Sequence, residues 1–408
     1  RTCRHCGAPL SALLADLGVS PVANDYLRAE ALDGPEPFYP LAVYVCGDCK
    51  LAQLHDYLRA DEVFREDYAY FSSYSTSWLA HAERYATQMT ARFALAQGSR
   101  VVEVASNDGY LLQYFKSRNI QVLGVEPCAS VARHAVEERG IPTRVCFFGA
   151  ETAQKIRDDV GPADLMVANN VLAHVPDIND FVRGFALLLA PDGVATFEFP
   201  HLLQLMQHNE FDTVYHEHFS YISLLAAERV FARAGLRIFD VDQLSTHGGS
   251  LRLYACRTEA VHPEAEAVAE IRRLETDNRL GEMATYADFA DRVKGVKREL
   301  LRLLIAEKEN GARIVAYGAA AKGNTLLNYC GIGRDIIDYV VDRSPFKQGM
   351  FLPGTRIPIR SPEYMRTDKP DVVLILPWNL ADEIQNQLSY VRDHGGRFIT
   401  AIPYPRVF

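Results

Sequence analysis

Positive charge is in short supply in this chain: 43 Lys and Arg stand against 52 Asp and Glu, a formal net charge of −9 over 408 residues. No block of Lys and Arg breaks that balance, which argues against a nucleic-acid partner, since phosphate backbones are held by clustered cations. Long apolar runs are missing too. None approaches the roughly 18 residues that span a bilayer, and the first residues, RTCRHCG, do not lead from a basic stretch into an apolar one. The expectation is a soluble, cytoplasmic chain with no membrane partner and an open oligomeric state, with which a monomer is compatible. With 48% hydrophobic residues the chain can bury two or three globular cores.

The eight cysteines are unevenly placed. Cys3, Cys6, Cys46 and Cys49 form two C-x2-C pairs, whereas Cys128, Cys146, Cys256 and Cys330 are scattered. Two such knuckles present four thiolates to one tetrahedral Zn²⁺, and four thiolates leave no open position for catalysis. A structural zinc is therefore expected. The alternative, a pair of disulfides, needs an oxidising compartment that nothing else in the sequence suggests. The stretch between the knuckles carries Pro21, Pro35, Pro37 and Pro40, and so small and loop-rich a module needs a metal staple.

Beyond the aromatic segment DYAYFSSYSTSW the pattern becomes βα. RVVEVA (100–105) reads as a strand, SNDGYLLQYFKSR as a turn entering a helix, and Val122–Val125 as a second strand ending at Glu126. Further strands at Leu165–Ala168 and Val194–Phe199 predict a doubly wound α/β domain. The turn EVASNDGYLL lacks G-x-G-x-x-G. It keeps an acid at the strand end, Glu103, a turn glycine, Gly109, and a second acid, Glu126, placed to accept from ribose hydroxyls. With no pyrophosphate to cradle, this suits S-adenosylmethionine. The candidate contacts are Glu103, Ser106, Asn107, Gly109, Tyr110, Glu126 and Pro127, joined by Asn169 and Asn170 past the third strand. His174 follows them, and the fourth strand runs into FDTVYHEHFSYIS, bringing Tyr215, His216, Glu217 and His218 to the same sheet edge.

GLRIFDVDQLSTHGGSLRLYACR predicts two strands around a turn with His247 and Gly249, and YADFADRVKGVKRELLRLL a packing helix with Phe289, Val293, Val296, Leu300 and Leu303 on one face. The last hundred residues form a second α/β unit. Its turn GAAAKGNT has Lys322 before Gly323, the wrong order for a P-loop, which disfavours a kinase. Lys322, Asn324 and Thr325 remain candidates for holding a diphosphate at a helix N-terminus. Asp342 lies where a nicotinamide-cofactor site would place its ribose acid, but GAAAKG is not the glycine fingerprint that an oxidoreductase needs.

Taken together, the C-x2-C pairs, FSSYSTSW, EVASNDGYLL, GVEP, NNVLAHVPD, EFPH, VYHEHFSY, THGGSLR, AYGAAAKGNTLLNY, VDRSPFKQG and LILPWN resemble the sugar C-methyltransferases of deoxysugar biosynthesis over the whole chain. The resemblance implies a zinc-binding module (1–65), a central Rossmann-like S-adenosylmethionine domain (66–243) and a C-terminal Rossmann-like domain that helps hold a nucleotide sugar (244–408). It implies methyl transfer to C3 of a dTDP-linked 4-keto sugar through an enolate, with methylation at C5 as the alternative. His218 is implied as the base, Tyr215 as its enolate-stabilising neighbour and Glu217 as an orienting carboxylate, with His174 lining the cavity. The substrate-side candidates are Tyr70, His216, His247, Gly249, Lys322, Asn324 and Thr325.

Overall fold

A computed structural model describes residues 1–55, 71–74 and 76–408. Tyr70 lies outside the described residues. The N-terminal module contributes strands β1 (Ala12–Ser20), β2 (Tyr39–Val45) and β3 (Ala52–Leu54). The middle of the chain carries β4 (Arg100–Val104), β5 (Gln121–Val125), β6 (Thr143–Arg144), β7 (Ala163–Asn169), β8 (Leu189–Pro200), β9 (Ser220–Tyr221), β10 (Leu236–Leu244) and β11 (Ser250–Arg257). The last third adds β12 (Ile314–Tyr317), β13 (Val340–Val341), β14 (Ile359–Arg360), β15 (Val372–Ile375), β16 (Arg397–Thr400) and β17 (Arg406–Val407).

The central sheet runs β10-β11-β8-β7-β4-β5-β6. From β8 to β6 the strands are parallel and their apolar runs are buried, as expected where helices cover both faces. Asp177 caps the helix Ile178–Leu188 by accepting from Asp180 N, and Ser223 caps Leu224–Arg233 by accepting from Ala226 N. Both helices turn an apolar face to the sheet core.

The expected boundary at 243/244 falls at the end of β10. Strands β10 and β11 pair antiparallel, and β11 lies between β10 and β8, so the central sheet extends to Arg257. The turn-rich STHGGS, read from the sequence as a turn between two strands, connects the hairpin.

The C-terminal sheet runs β14-β13-β12-β15-β16-β17, parallel apart from β17. The helix Ala284–Glu309 precedes it and buries Phe289, Val293, Val296, Leu300 and Leu304. Leu304 takes the place expected of Leu303, since a 3.6-residue period allows either spacing. One continuous core joins this helix, the C-terminal sheet and the inner face of the N-terminal sheet. A second joins Cys3, Cys46 and Cys49 to the central sheet.

Chain order reverses between β4 and β7 in the central sheet and between β12 and β15 in the C-terminal one. Ligands of doubly wound folds bind at the carboxyl ends of strands at such points. The segment 209–218 lies between the two, with Asp212 bonded to Trp378 beyond β15 and Val214 O to Thr325 beyond β12. Its continuation, β9, pairs with β3 and completes the N-terminal sheet in the order β1-β2-β3-β9.

Candidate active site

The four knuckle sulfurs lie within 4.8 Å of one another, with Cys3 to Cys49 and Cys6 to Cys46 both at 3.5 Å. Four sulfurs at about 2.3 Å from a tetrahedral zinc sit about 3.8 Å apart, so the donor set fits that ion. Each knuckle closes in the same way. Gly7 N donates to Cys3 O and Lys50 N to Cys46 O, and both residues adopt positive φ. The knuckle is docked on the central domain: Asn179 Nδ2 donates to the carbonyls of Arg4 and His5, Arg233 donates to His5 O, and Arg4 reaches Pro176 O.

At the central switch point the β4 turn is tightly wound. Ala105, Asn107 and Gly109 all have positive φ, at 56°, 49° and 76°. Such conformations cost energy in non-glycine residues and concentrate at functional sites. A Cβ on Gly109 would stand 3.0 Å from Ile141, and one on Gly124 in β5 would stand 2.4 Å from Ser106 Oγ. Glu126 Oε2 accepts from Asn107 N and Oε1 from Cys128 N, both at 2.9 Å, so this carboxylate fixes the turn and leaves further lone pairs for a ligand. Pro127 sits between these anchored residues.

Ser106 Oγ, the Asn169 amide and the Glu103 carboxylate are buried without well-formed hydrogen bonds, the Tyr110 hydroxyl being the polar neighbour of the last two. Burial pushes the Glu103 carboxyl well above the ordinary carboxylate range, and a ligand bringing a positive charge would relieve that. These orphaned groups suit a zwitterionic amino-acid head. Trp78 flanks them, its ring centre 6.0 Å from Tyr110 and 5.7 Å from His247, while Asn170 Nδ2 lies 3.3 Å from His247 Nε2. His247 thus joins the same edge as the cofactor candidates.

Strand β7 leads past Asn170 to His174, and here the VYHEHFSY loop meets the central domain. His218 Nδ1 lies 2.8 Å from Thr213 O and Nε2 lies 2.8 Å from the Tyr215 hydroxyl. A carbonyl can only accept, so Nδ1 carries the proton, Nε2 holds the lone pair, and Tyr215 donates to it. The His174 ring lies edge-on to His218 at 4.5 Å, and His174 Nδ1 donates to Glu217 O at 2.9 Å. Burial, joined by the neighbouring His174, holds His218 well below the usual histidine range; burial also pushes His174 down to about 4. Both rings are therefore neutral near pH 7, and a neutral ring is what a proton acceptor requires. Glu217 is buried and its Oε1 accepts from Asn24 Nδ2 at 2.6 Å.

Other candidates point elsewhere. His216 faces the N-terminal module, with Nε2 3.3 Å from Pro40 O and its ring against Tyr39. Asn324 donates to Ala23 O and Thr325 to Val214 O, so both are engaged with backbone. Gly249 packs against Gln204. Lys322 lies over the Trp378 ring, donates to Asn379 and stands near Asp212 and Glu210. Asp342 accepts from Ala319 N and Ser344 N, leaving its carboxylate committed to the turn. Reasoning from sequence missed Asn24, Trp78 and the buried set around Glu198, whose carboxylate takes His81, Arg252 and Thr246. Trp78 ends the quoted FSSYSTSW and Glu198 opens EFPH, so those two had a local signal; Asn24 had none.

Family profiles cover almost all of the chain: a zinc binding domain over residues 3–64, a methyltransferase domain over 78–241 and a C-methyltransferase C-terminal domain over 245–403. C-methyltransferase NovU of Streptomyces niveus is 38% identical over 408 residues, covering 99% of this chain and 96% of its own. The chain belongs to the C-methyltransferase family. This C-methyltransferase uses S-adenosylmethionine and carries a zinc-binding module built on four cysteines. Among solved structures, a SAM-dependent methyltransferase of Anabaena variabilis matches 44% of this chain and 86% of its own at 15% identity and TM-score 0.37. Magnesium protoporphyrin IX methyltransferase of Synechocystis with bound SAM matches 44% and 79% at 15% and 0.34. Likenesses this slight add nothing to the assignment. Among the described residues no helix is long and apolar enough to cross a membrane.

The anchoring of Glu126 leads to an expected result. Glu126→Ala frees Asn107 N and Cys128 N and removes the candidate ribose acceptor, so calorimetry should show cofactor affinity lower by about 10- to 100-fold, the scale of lost charge-assisted hydrogen bonds. Affinity for the methyl acceptor should stay nearly intact.

Proposed function

We propose that this C-methyltransferase methylates C3 of a nucleotide-linked 4-keto sugar, with dTDP as the nucleotide, by way of an enolate. The observation that carries this reading is the Tyr215–His218 pair, whose tautomer is fixed by Thr213 O so that Nε2 is the proton acceptor. A sugar carbon turns nucleophilic only when an adjacent ketone lets its C–H proton leave. Bound S-adenosylmethionine supplies an electrophilic methyl. The protein's own residues must take the proton, steady the enolate oxygen and keep water out.

His218 Nε2 takes the proton. The Tyr215 O–H, which donates to Nε2 at rest, turns to the enolate oxygen once Nε2 is protonated. His174, neutral and edge-on, keeps the imidazole in place. Asn169 ends β7 and Asn170 and His174 follow it, which supports a methyl donor and a base that share one sheet edge. The 4-ketone activates both of its neighbours, C3 and C5, so the same pair serves either carbon and the orientation of the sugar decides between them. The C-terminal domain and Tyr70 are assigned to the nucleotide sugar.

Incubation with methyl-labelled S-adenosylmethionine and a panel of nucleotide 4-keto sugars tests this reading. Labelled sugar whose NMR spectrum places the methyl on C3 is expected. A methyl on C5 would redirect the position, and transfer only to acceptors lacking a ketone would defeat the enolate mechanism.

A further inference from the structure

The loop Pro21–Tyr26 leaves the zinc module and enters the space between the two α/β domains, where its hydrogen bonds include three to residues of those domains. Asn324 Nδ2 donates to Ala23 O at 2.5 Å, the Tyr26 hydroxyl to Ala319 O at 2.6 Å, and Asn24 Nδ2 to Glu217 Oε1 at 2.6 Å. The first two tie the loop to the C-terminal domain. The third ends on a side chain of VYHEHFSY itself. Glu217 is 3% exposed, so bulk water cannot readily replace the amide, and a buried carboxylate stripped of a donor is costly.

We infer that Asn24 is a positioning residue for the methyl-transfer reaction. It holds the Glu217 carboxylate and thereby the Glu217 peptide, whose carbonyl receives the His174 Nδ1 proton, and so the ring that braces His218. The inference rests on the assignment of His218 to proton removal. An amide suits the position because it donates without bringing charge. An ionised Asp there would set a second negative charge against a buried carboxylate, which raises the affinity of the pair for a proton.

The test compares wild type, Asn24→Ala and Asn24→Asp as full-length, zinc-loaded protein, using labelled S-adenosylmethionine and the 4-keto nucleotide sugar that wild type methylates. Asn24→Ala should lower kcat by about 10- to 100-fold at every pH, as expected for a lost hydrogen bond to a charged group, while KM for S-adenosylmethionine changes less than about twofold. Asn24→Asp should approach wild type at acid pH, where the protonated acid donates as the amide does, and fall away as pH rises. A merely structural role gives Asn24→Asp a profile parallel to wild type, and that result, or an Asn24→Ala kcat within about twofold of wild type, overturns the inference. If wild type methylates no 4-keto sugar, the substrate reading fails separately. Crystal structures of wild type and Asn24→Ala with S-adenosylhomocysteine then decide: a displaced Glu217 carboxylate and His174 ring support the role of Asn24, and unmoved ones refute it.

Discussion

Replacing His218 by Asn should reduce methyl transfer by about 10²- to 10⁴-fold, the range a positioned general base contributes, and should stop exchange of the sugar's C3 hydrogen with deuterated water when S-adenosylhomocysteine is bound. Asparagine offers an amide N–H in the place of Nδ1, so the contact with Thr213 O can persist while the lone pair on Nε2 is lost. The exchange measurement isolates proton removal from methyl delivery. Tyr215→Phe should slow both steps less, by an amount near the 3 kcal/mol of one oxyanion hydrogen bond, because the base remains. Exchange at the wild-type rate in the His218 variant would move the role to Tyr215, Glu217 or His174. Because burial holds His218 well below the usual histidine range, protonation of the base should not limit the rate down to pH 6.

The second large effect concerns zinc. Cys46→Ser, or removal of the metal by a chelator, should cause loss of soluble folded protein before any selective loss of chemistry, and metal analysis of wild type should find about one zinc per chain. Cys3, Cys46 and Cys49 are buried in the same core as Val102, Val104 and Phe197 of the central sheet, so loss of the metal removes a cross-link from a packed interior. A wild-type protein purified without chelator and found to hold no metal would refute this. Circular dichroism and methyl transfer followed together during chelation should decline in step.

Local chemistry made much of this legible in sequence. The knuckle spacing fixes a metal site because two sulfurs per turn can face only one point. The run RVVEVA and the strand ending before Glu126 were legible because a parallel strand, its turn and the next strand are contiguous in the chain. What escaped was set by distance along the chain. Asn324 and Thr325 read as phosphate ligands, yet they hold the backbone of Ala23 and Val214, partners that no local pattern can reveal. His216 was read as a substrate-side candidate and His218 as the base; the ring of the first lies near Pro40 and that of the second meets Tyr215. The hairpin Leu236–Arg257 was legible as two strands around a turn, but its pairing with β8, which makes it part of the central sheet, was not.

The pairing of β3 with β9 links residues 52–53 to 220–221, about 170 positions apart, and contacts so remote in sequence close late in folding. During synthesis both knuckles emerge early and can take up metal, while the sheet beside them waits with an open edge until residue 221 has left the ribosome. The two-residue strand that closes that edge is also the stretch that immediately follows the loop to which proton removal is assigned here. A nascent chain therefore cannot acquire a shaped reaction centre before its first module is sealed, and a premature stop anywhere ahead of β9 yields an inert product with an unprotected strand edge.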